Sequence, residues 1–217
     1  MHPIKYLGVC RGGTAFGMML VGLAYSLALF AAPRASGQET TMELPKEKQT
    51  TLGFYLTAAE AYEKWKAEPD TVKVIDVRTP EEYAFVGHAE MAWNIPVAFV
   101  TYQRKDGKTE YGARPNPDFV AEVKKLTQPT DTLLLMCRSG GRSAMAINQL
   151  AAAGFKNLYN ITDGFEGDKV DDPGSVYFGK RMRNGWKNSV PWTYGIDPEK
   201  LILTEGASKQ TVRDNPK

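Results

Sequence analysis

The sequence predicts an α/β fold in which a central parallel sheet is flanked by helices on both faces. Three observations predict it. Short apolar runs at 72–77, 133–136 and 157–161 have the length and residue types of buried strands. Stretches with helical apolar spacing separate them. Strands that alternate with helices in this way pair in parallel and carry the helices on the sheet faces.

The N-terminus stands apart. His2, Lys5 and Arg11 make a basic start, residues 16–32 are almost wholly apolar, and Ala35-Ser36-Gly37 precede Gln38. Residues 1–37 therefore read as a secretory signal peptide. An uncleaved membrane anchor is the alternative, because the apolar run approaches spanning length. Gly17, Gly22 and the small residues after the run favour cleavage. The expected location is outside the cytoplasm, in a bacterial periplasm. Cleavage would leave 24 of the 27 basic residues against 25 acidic ones, a nearly neutral domain. No nucleic-acid partner is suggested by that balance. Cys10 would leave too, making Cys137 the single mature cysteine. Exported proteins normally pair their cysteines, so a lone one is a working thiol or an intermolecular partner.

Residues 38–51 are polar and without period; 38–56 reads as a linker, with a short edge strand at 52–56. Thr57-Ala58-Ala59-Glu60 is a capping box, and Ala58, Ala61, Tyr62 and Trp65 share the face of the helix that follows. Pro69 ends it. The strand at 72–77 carries Asp76 near its end. Thr79-Pro80-Glu81-Glu82 is a second capping box with proline at the first helical position. It opens a short helix with Tyr83 and Phe85 that stops near Gly87-His88. Residues 92–96 form another short strand. Residues 97–114 read as irregular. Asn116-Pro117-Asp118 starts a helix whose stripe is Phe119, Val120, Val123 and Leu126. After the strand at 157–161, Asp163-Gly164-Phe165-Glu166-Gly167 is a turn, and 168–184 is a long surface loop. The domain spans 57–197, and 198–217 is a fraying tail. The sequence shows no metal-ligand spacing and no sign of a cofactor.

The chemistry concentrates at Cys137-Arg138-Ser139-Gly140-Gly141-Arg142-Ser143, between the strand at 133–136 and a helix that Gly154 stops. The N–H groups of such a loop can converge on one point, and the helix start adds partial positive charge. Arg138 and Arg142 add full charges. The thiolate is the nucleophilic form of cysteine, and this setting favours it. A buried, inert cysteine closing a strand is the plain alternative.

These stretches together resemble the rhodanese family of sulfurtransferases. The resemblance is carried by Asp76-Val77-Arg78-Thr79-Pro80-Glu81-Glu82-Tyr83, by Gly87-His88 with Asn94-Ile95-Pro96, by the cysteine loop, and by Asp163-Gly164-Phe165. Trp186 and Pro191-Trp192 resemble the family's closing segment. The match runs from about Thr57 to Trp192. It implies that Cys137 takes a sulfane sulfur from a small anion such as thiosulfate, holds it as a persulfide and passes it to a thiophilic acceptor, possible protein acceptors included, without a cofactor. It also implies that residues Arg138 to Ser143 bind the substrate: main-chain donors for the persulfide, and Arg138 and Arg142 for the departing sulfite. Arg142 reads equally as a pin between loop and sheet. The chain departs from the family at Ala89 and Met91, where members often have Ile and Gly, and in the length of 168–184.

Asp76, Arg78 and Trp186 are supporting candidates. Asp76 is a helper near the thiol or, as its position favours, the partner of an arginine. Trp186 is core or pocket wall. His88 is a general base or a packing residue. Lys180, Arg181, Arg183 and Lys187 gather anions, dock a partner, or form a solvated face. Three rivals to the enzyme remain: a persulfide carrier serving one partner, a rhodanese-like binding module, and a phosphatase or arsenate reductase. The last resemble this chain but have a cysteine loop one residue longer. The enzyme reading requires a thiol that solvent can reach and loop amides that face it.

Overall fold

The computed structural model describes residues 43–105 and 107–202. The expected signal segment, its cleavage point and the tail beyond 202 lie outside them. The elements run β1 (Tyr55–Leu56), α1 (Ala58–Ala67), β2 (Val72–Asp76), β3 (Trp93–Asn94), β4 (Ala98–Lys105), β5 (Lys108–Pro115), α2 (Phe119–Leu126), β6 (Thr132–Met136), α3 (Gly141–Ala152), β7 (Asn157–Ile161), β8 (Asp168–Lys169), β9 (Arg181–Arg183) and α4 (Trp186–Ser189). Five of the strands form a parallel sheet in the order β1-β7-β6-β2-β3.

Helices cover both faces, as expected. The period of two in a strand decides which side chain meets which helix. In β6 and the residue after it, Leu133, Leu135 and Cys137 join the core under α2 and α3, with Phe119, Val123, Ile147 and Leu150. Leu134 and Met136 point the other way, to Ala58 and Ala61 of α1 and to Trp186. In β2, Ile75 belongs to the first face and Val72 and Val74 to the second. Asp76 pairs in register with Met136, so by the same parity it leaves the sheet on the face away from the Cys137 side chain.

Thr57 caps α1 as the sequence proposes: its hydroxyl accepts from Glu60 N–H while the Glu60 carboxylate accepts from Thr57 N–H. The box at Thr79 and Glu82 also forms, and leads into a π-type turn, Glu82–Val86. There Tyr83 is buried but Phe85 is 82% exposed.

Four segments differ from expectation. Residues 97–114 are not irregular; β4 and β5 form an antiparallel hairpin in which Tyr102 and Tyr111 sit opposite each other with ring centroids 5.2 Å apart. Asp106-Gly107 is the turn signal, but the charged strands lack the alternation that would have revealed them. The 168–184 loop contains the small β8–β9 ribbon. The described part of the expected linker is packed: Thr51 N–H donates to Asn148 Oδ1 at 2.9 Å, Asn160 Nδ2 donates to Lys48 O at 2.9 Å, and Leu52 lies against the core. Finally, the chain past Pro198 does not fray at once. Asn94 N–H donates to Lys200 O and Ile202 N–H to Asn94 O, so 200–202 line the outer edge of β3.

Under the sheet's carboxyl end lies an ion pair with no exposed surface. Arg78 Nε donates to both Asp76 oxygens at 2.9 and 3.0 Å, and Nη2 donates to Oδ2 at 2.6 Å. Nη2 also donates to Gly87 O at 2.7 Å, and the guanidinium lies 4.1 Å from the Phe165 ring centroid. Removing one member of such a pair strands the other charge without water. Asp76→Ala should therefore cost about 3–5 kcal/mol, and replacing Asp76 and Arg78 together by Leu and Met should cost less. Urea unfolding checks both; a single variant within about 1 kcal/mol of wild type would show that the pair does not hold the frame.

Candidate active site at the cysteine loop

Cys137 follows β6, the central strand of the sheet, and Gly140 precedes α3. Two close approaches shape the loop between them. Gly140 has φ +98°, and a Cβ there would lie 2.4 Å from Thr162 O. Gly164 has φ +61°, and a Cβ there would lie 2.5 Å from Cys137 O and 2.6 Å from Ser139 N. Only glycine fits either place. The 163–167 turn is thus seated directly against the loop, where Phe165 N–H donates to Cys137 O at 2.8 Å and Glu166 N–H to Arg138 O at 3.0 Å. Asp163 clamps that turn from behind. Its carboxylate accepts from Ala58 N–H at 2.8 Å and Gly185 N–H at 2.7 Å. Burial pushes its carboxyl above the ordinary value, an effect those two bonds oppose.

The thiol is less open than expected. Cys137 is free and only 2% exposed. The amide expectation fares better: Gly140 N–H points at Sγ, 3.2 Å away. The N–H groups of Gly141, Arg142 and Ser143 find no acceptor among the described residues, as at the first turn of any helix. They leave partial positive charge at the start of α3, the helix whose N-cap Gly140 donates to the sulfur. Ser143 Oγ lies 3.5 Å from Sγ and 2.6 Å from Asn160 Oδ1. A hydroxyl has one hydrogen, so the short bond to Asn160 holds it unless charge on sulfur draws it away.

Asn160 was not singled out by the sequence. It sits on β7, and besides meeting Ser143 its Nδ2 donates to Gly140 O at 3.1 Å and to Lys48 O. One buried amide thereby ties the loop to the segment before β1. An asparagine between the apolar residues Tyr159 and Ile161 near the end of the strand was the available signal.

The arginines divide their work. Arg138 is exposed at the mouth of the loop. Arg142 is the pin: Nη1 and Nη2 each donate to a Glu82 oxygen at 2.6 Å. Burial works against its charge, but the bonds to Glu82, and the charges of Glu82, Cys137 and Asp76, hold its proton more tightly than usual. With both Nη groups on Glu82, Arg142 is a poorer sulfite ligand than its place in the loop implied. Asp76 binds Arg78 on the opposite parity and is not beside the thiol. Trp186 is wholly buried on the α1 face, its indole N–H donating to Pro191 O at 2.9 Å, so it is core. His88 stacks on Tyr83 with centroids 3.7 Å apart. Its Nδ1 lies 3.1 Å from Tyr83 O, and since a carbonyl only accepts, Nδ1 carries the hydrogen. Burial lowers its proton affinity, leaving a neutral packing residue. No group of metal-ligating side chains occurs among the described residues.

Burial would raise the Glu82 carboxyl, but the Arg142 fork and Thr79 N–H outweigh it and hold the carboxyl below its ordinary value. The stabilisation is thus complete above the unfolded-state value and is lost as pH falls through the folded one. Glu82→Gln should cost about 1–2 kcal/mol at neutral pH. The gap to wild type should narrow in acid. Urea unfolding from about pH 7 to about pH 3 reads it, and a gap that stays constant or widens argues against the pin.

Comparison with known proteins agrees with this geometry. The family model described as Rhodanese-like domain matches residues 57–170. Thiosulfate sulfurtransferase 16, chloroplastic, of Arabidopsis thaliana is 37% identical over 93 residues, which is 43% of this chain and 70% of that one. Uncharacterized protein RC0915 of Rickettsia conorii is 33% identical over 127 residues, 58% of this chain and 85% of its own. The crystal structure of Rv0390 from M. tuberculosis aligns with a TM-score of 0.51 and 28% identity, covering 65% of this chain and 97% of that one. With its parallel sheet, its cysteine loop after the central strand and more than half its length matched by the family model, the chain belongs to the rhodanese-like domain family, a family of sulfurtransferase type.

Proposed function

We infer that the protein is a sulfurtransferase that carries a sulfane sulfur on Cys137, taking it from an anionic donor such as thiosulfate and giving it to a thiol or to cyanide. The observation that carries the reading is the Gly140 N–H aimed at Sγ beside three acceptor-free amides of α3. A persulfide is an anion one sulfur longer than a thiolate, and fixed main-chain donors favour it without reorganising.

In the first step the Cys137 thiolate attacks the outer sulfur of thiosulfate. A Cys137 S–S bond forms, the S–S bond of thiosulfate breaks, and sulfite leaves with the bonding pair. Arg138, exposed at the loop mouth, neutralises the anions as they enter and leave. In the second step an acceptor thiolate or cyanide attacks the terminal sulfur, and Cys137 departs as thiolate. Charge balances in both steps. The slight exposure of Cys137 selects donors whose reacting sulfur is terminal and slender. With sulfur charged, the Ser143 hydroxyl can swing its hydrogen from Asn160 to Sγ.

The engagement of Arg142 with Glu82 supports this reading over a phosphatase, which needs the closing arginine of its loop for the oxyanion. A dedicated persulfide carrier would use the same loop and differ only in its acceptor. On the N-terminal sequence pattern, the proposed workplace is the periplasm.

Cys137→Ser should end sulfur transfer and leave the fold intact. Intact mass after thiosulfate should show one added sulfur atom on wild type and none on the variant; cyanide-dependent turnover at wild-type rate in the variant would exclude the mechanism. Arg138→Ala should raise KM for thiosulfate about tenfold, the worth of roughly one charge-assisted bond, with unfolding free energy unchanged within about 0.5 kcal/mol. An unchanged KM removes Arg138 from donor binding.

A further inference from the structure

A groove of about 560 Å³ lies beside the cysteine loop. Arg138, Lys169, Lys180, Arg181 and Lys187 line it, and Glu166 is the sole carboxylate among its lining residues. The 168–184 segment builds its outer wall. Val170 N–H donates to Lys180 O and Gly179 N–H to Val170 O, each at 2.8 Å, and Arg181 donates to Gly167 O. The Glu166 carboxylate pairs only with Lys187 among the described residues, at 3.9 Å. Arg138, Lys169 and Lys180 make no ion pair among the described residues. Three uncompensated cations thus line a groove that ends at the residue after Cys137.

The groove is also partly apolar. Tyr177 and Met182 line it, and beside them Val176 is 89% and Phe178 55% exposed. Aromatic and apolar side chains mixed with arginine are the composition of protein contact surfaces. A five-atom anion such as thiosulfate uses neither that area nor three cations. The thiol, in contrast, is nearly closed over, so a macromolecular acceptor must present its own sulfur on a protruding chain.

We propose that this groove docks an acidic segment of a protein sulfur acceptor and steers the acceptor's thiol to Cys137; the proposal rests on the sulfur-transfer reading above. Opposite charge speeds encounter and fixes orientation, and its effect fades with salt. The occupant is identified by its chemistry: Asp or Glu residues next to a cysteine on an exposed chain.

The test uses the whole chain and two fluorescent peptides of equal length, each with one cysteine, one rich in Asp and Glu and the other in Ser and Gly. Anisotropy at low salt should show the acidic peptide binding about tenfold tighter or more, and the preference should vanish in Lys169→Glu/Lys180→Glu and at high salt. Both lysines are exposed, and far-UV circular dichroism verifies the variant's fold. Sulfur passed from the loaded protein to each peptide, read by mass, should show the same preference. Thiosulfate–cyanide turnover, measured at high salt where the reversed charges are screened, should stay within about twofold in the variant, since neither lysine is hydrogen-bonded or ion-paired to the cysteine loop among the described residues. Equal binding of the two peptides, or an acidic preference that survives charge reversal, overturns the docking site. Sulfur moved equally to both peptides leaves the transferase reading and removes the docking site. An acidic preference in binding with no sulfur moved supports the docking site and removes the transferase reading.

Discussion

The structure depends first on the Asp76–Arg78 ion pair. Two opposite charges with no exposed surface are costly to bury and are tolerated only when held from several sides. Here the hold is distributed. The carboxylate fixes the guanidinium, Gly87 O takes one of its hydrogens, and the Phe165 ring covers its face. Asn94 Nδ2 meanwhile donates to the carbonyls of Asp76 and Arg78. Segments far apart in the chain must therefore arrive together. Phe165 is the link to chemistry, because its own N–H donates to the carbonyl of Cys137. The frame beneath the sheet and the loop above it share one residue, the ring of Phe165 serving the first and its main chain the second.

Three arginines of the same chemical type perform three tasks, and environment alone separates them. Arg78 is wholly buried and structural. Arg142 is partly buried and spends both Nη groups on a carboxylate. Arg138 is exposed and keeps its charge available. A loop that must hold a changing sulfur charge gains from this separation. The cation that meets substrate is not also holding the scaffold, so its movement leaves the amides in place.

Much of the fold was legible in the sequence because it followed local rules. The parallel sheet could be read from short apolar runs alternating with helical patterns, α1 from its capping box, and the cysteine loop from adjacent glycines before a helical pattern. What stayed hidden depends on partners distant in the chain. Nothing in a polar stretch at 43–51 announces that Lys48 O will meet Asn160. Glu82 looks complete as a capping-box residue, so its ion pair with Arg142, 60 residues on, has no local trace. The β4–β5 hairpin carried its turn signal, but with charged strands outside the main sheet it lacked the apolar period that marks a strand. Parity was hidden too, because it needs the register: only the pairing of Asp76 with Met136 sends the side chains of Asp76 and Cys137 to opposite faces of the sheet.

The segment at 200–202 also bears on how copies of the molecule meet. Asn94 presents its N–H and C=O on the outer side of β3, and both are taken by Lys200 and Ile202. At the far side, β1 offers only two residues. Among the described residues of the five-stranded sheet, a strand from another molecule thus finds no long row of unpaired main-chain groups on which to grow. The five-stranded sheet is therefore closed at one edge and short at the other, which leaves a foreign strand little to extend.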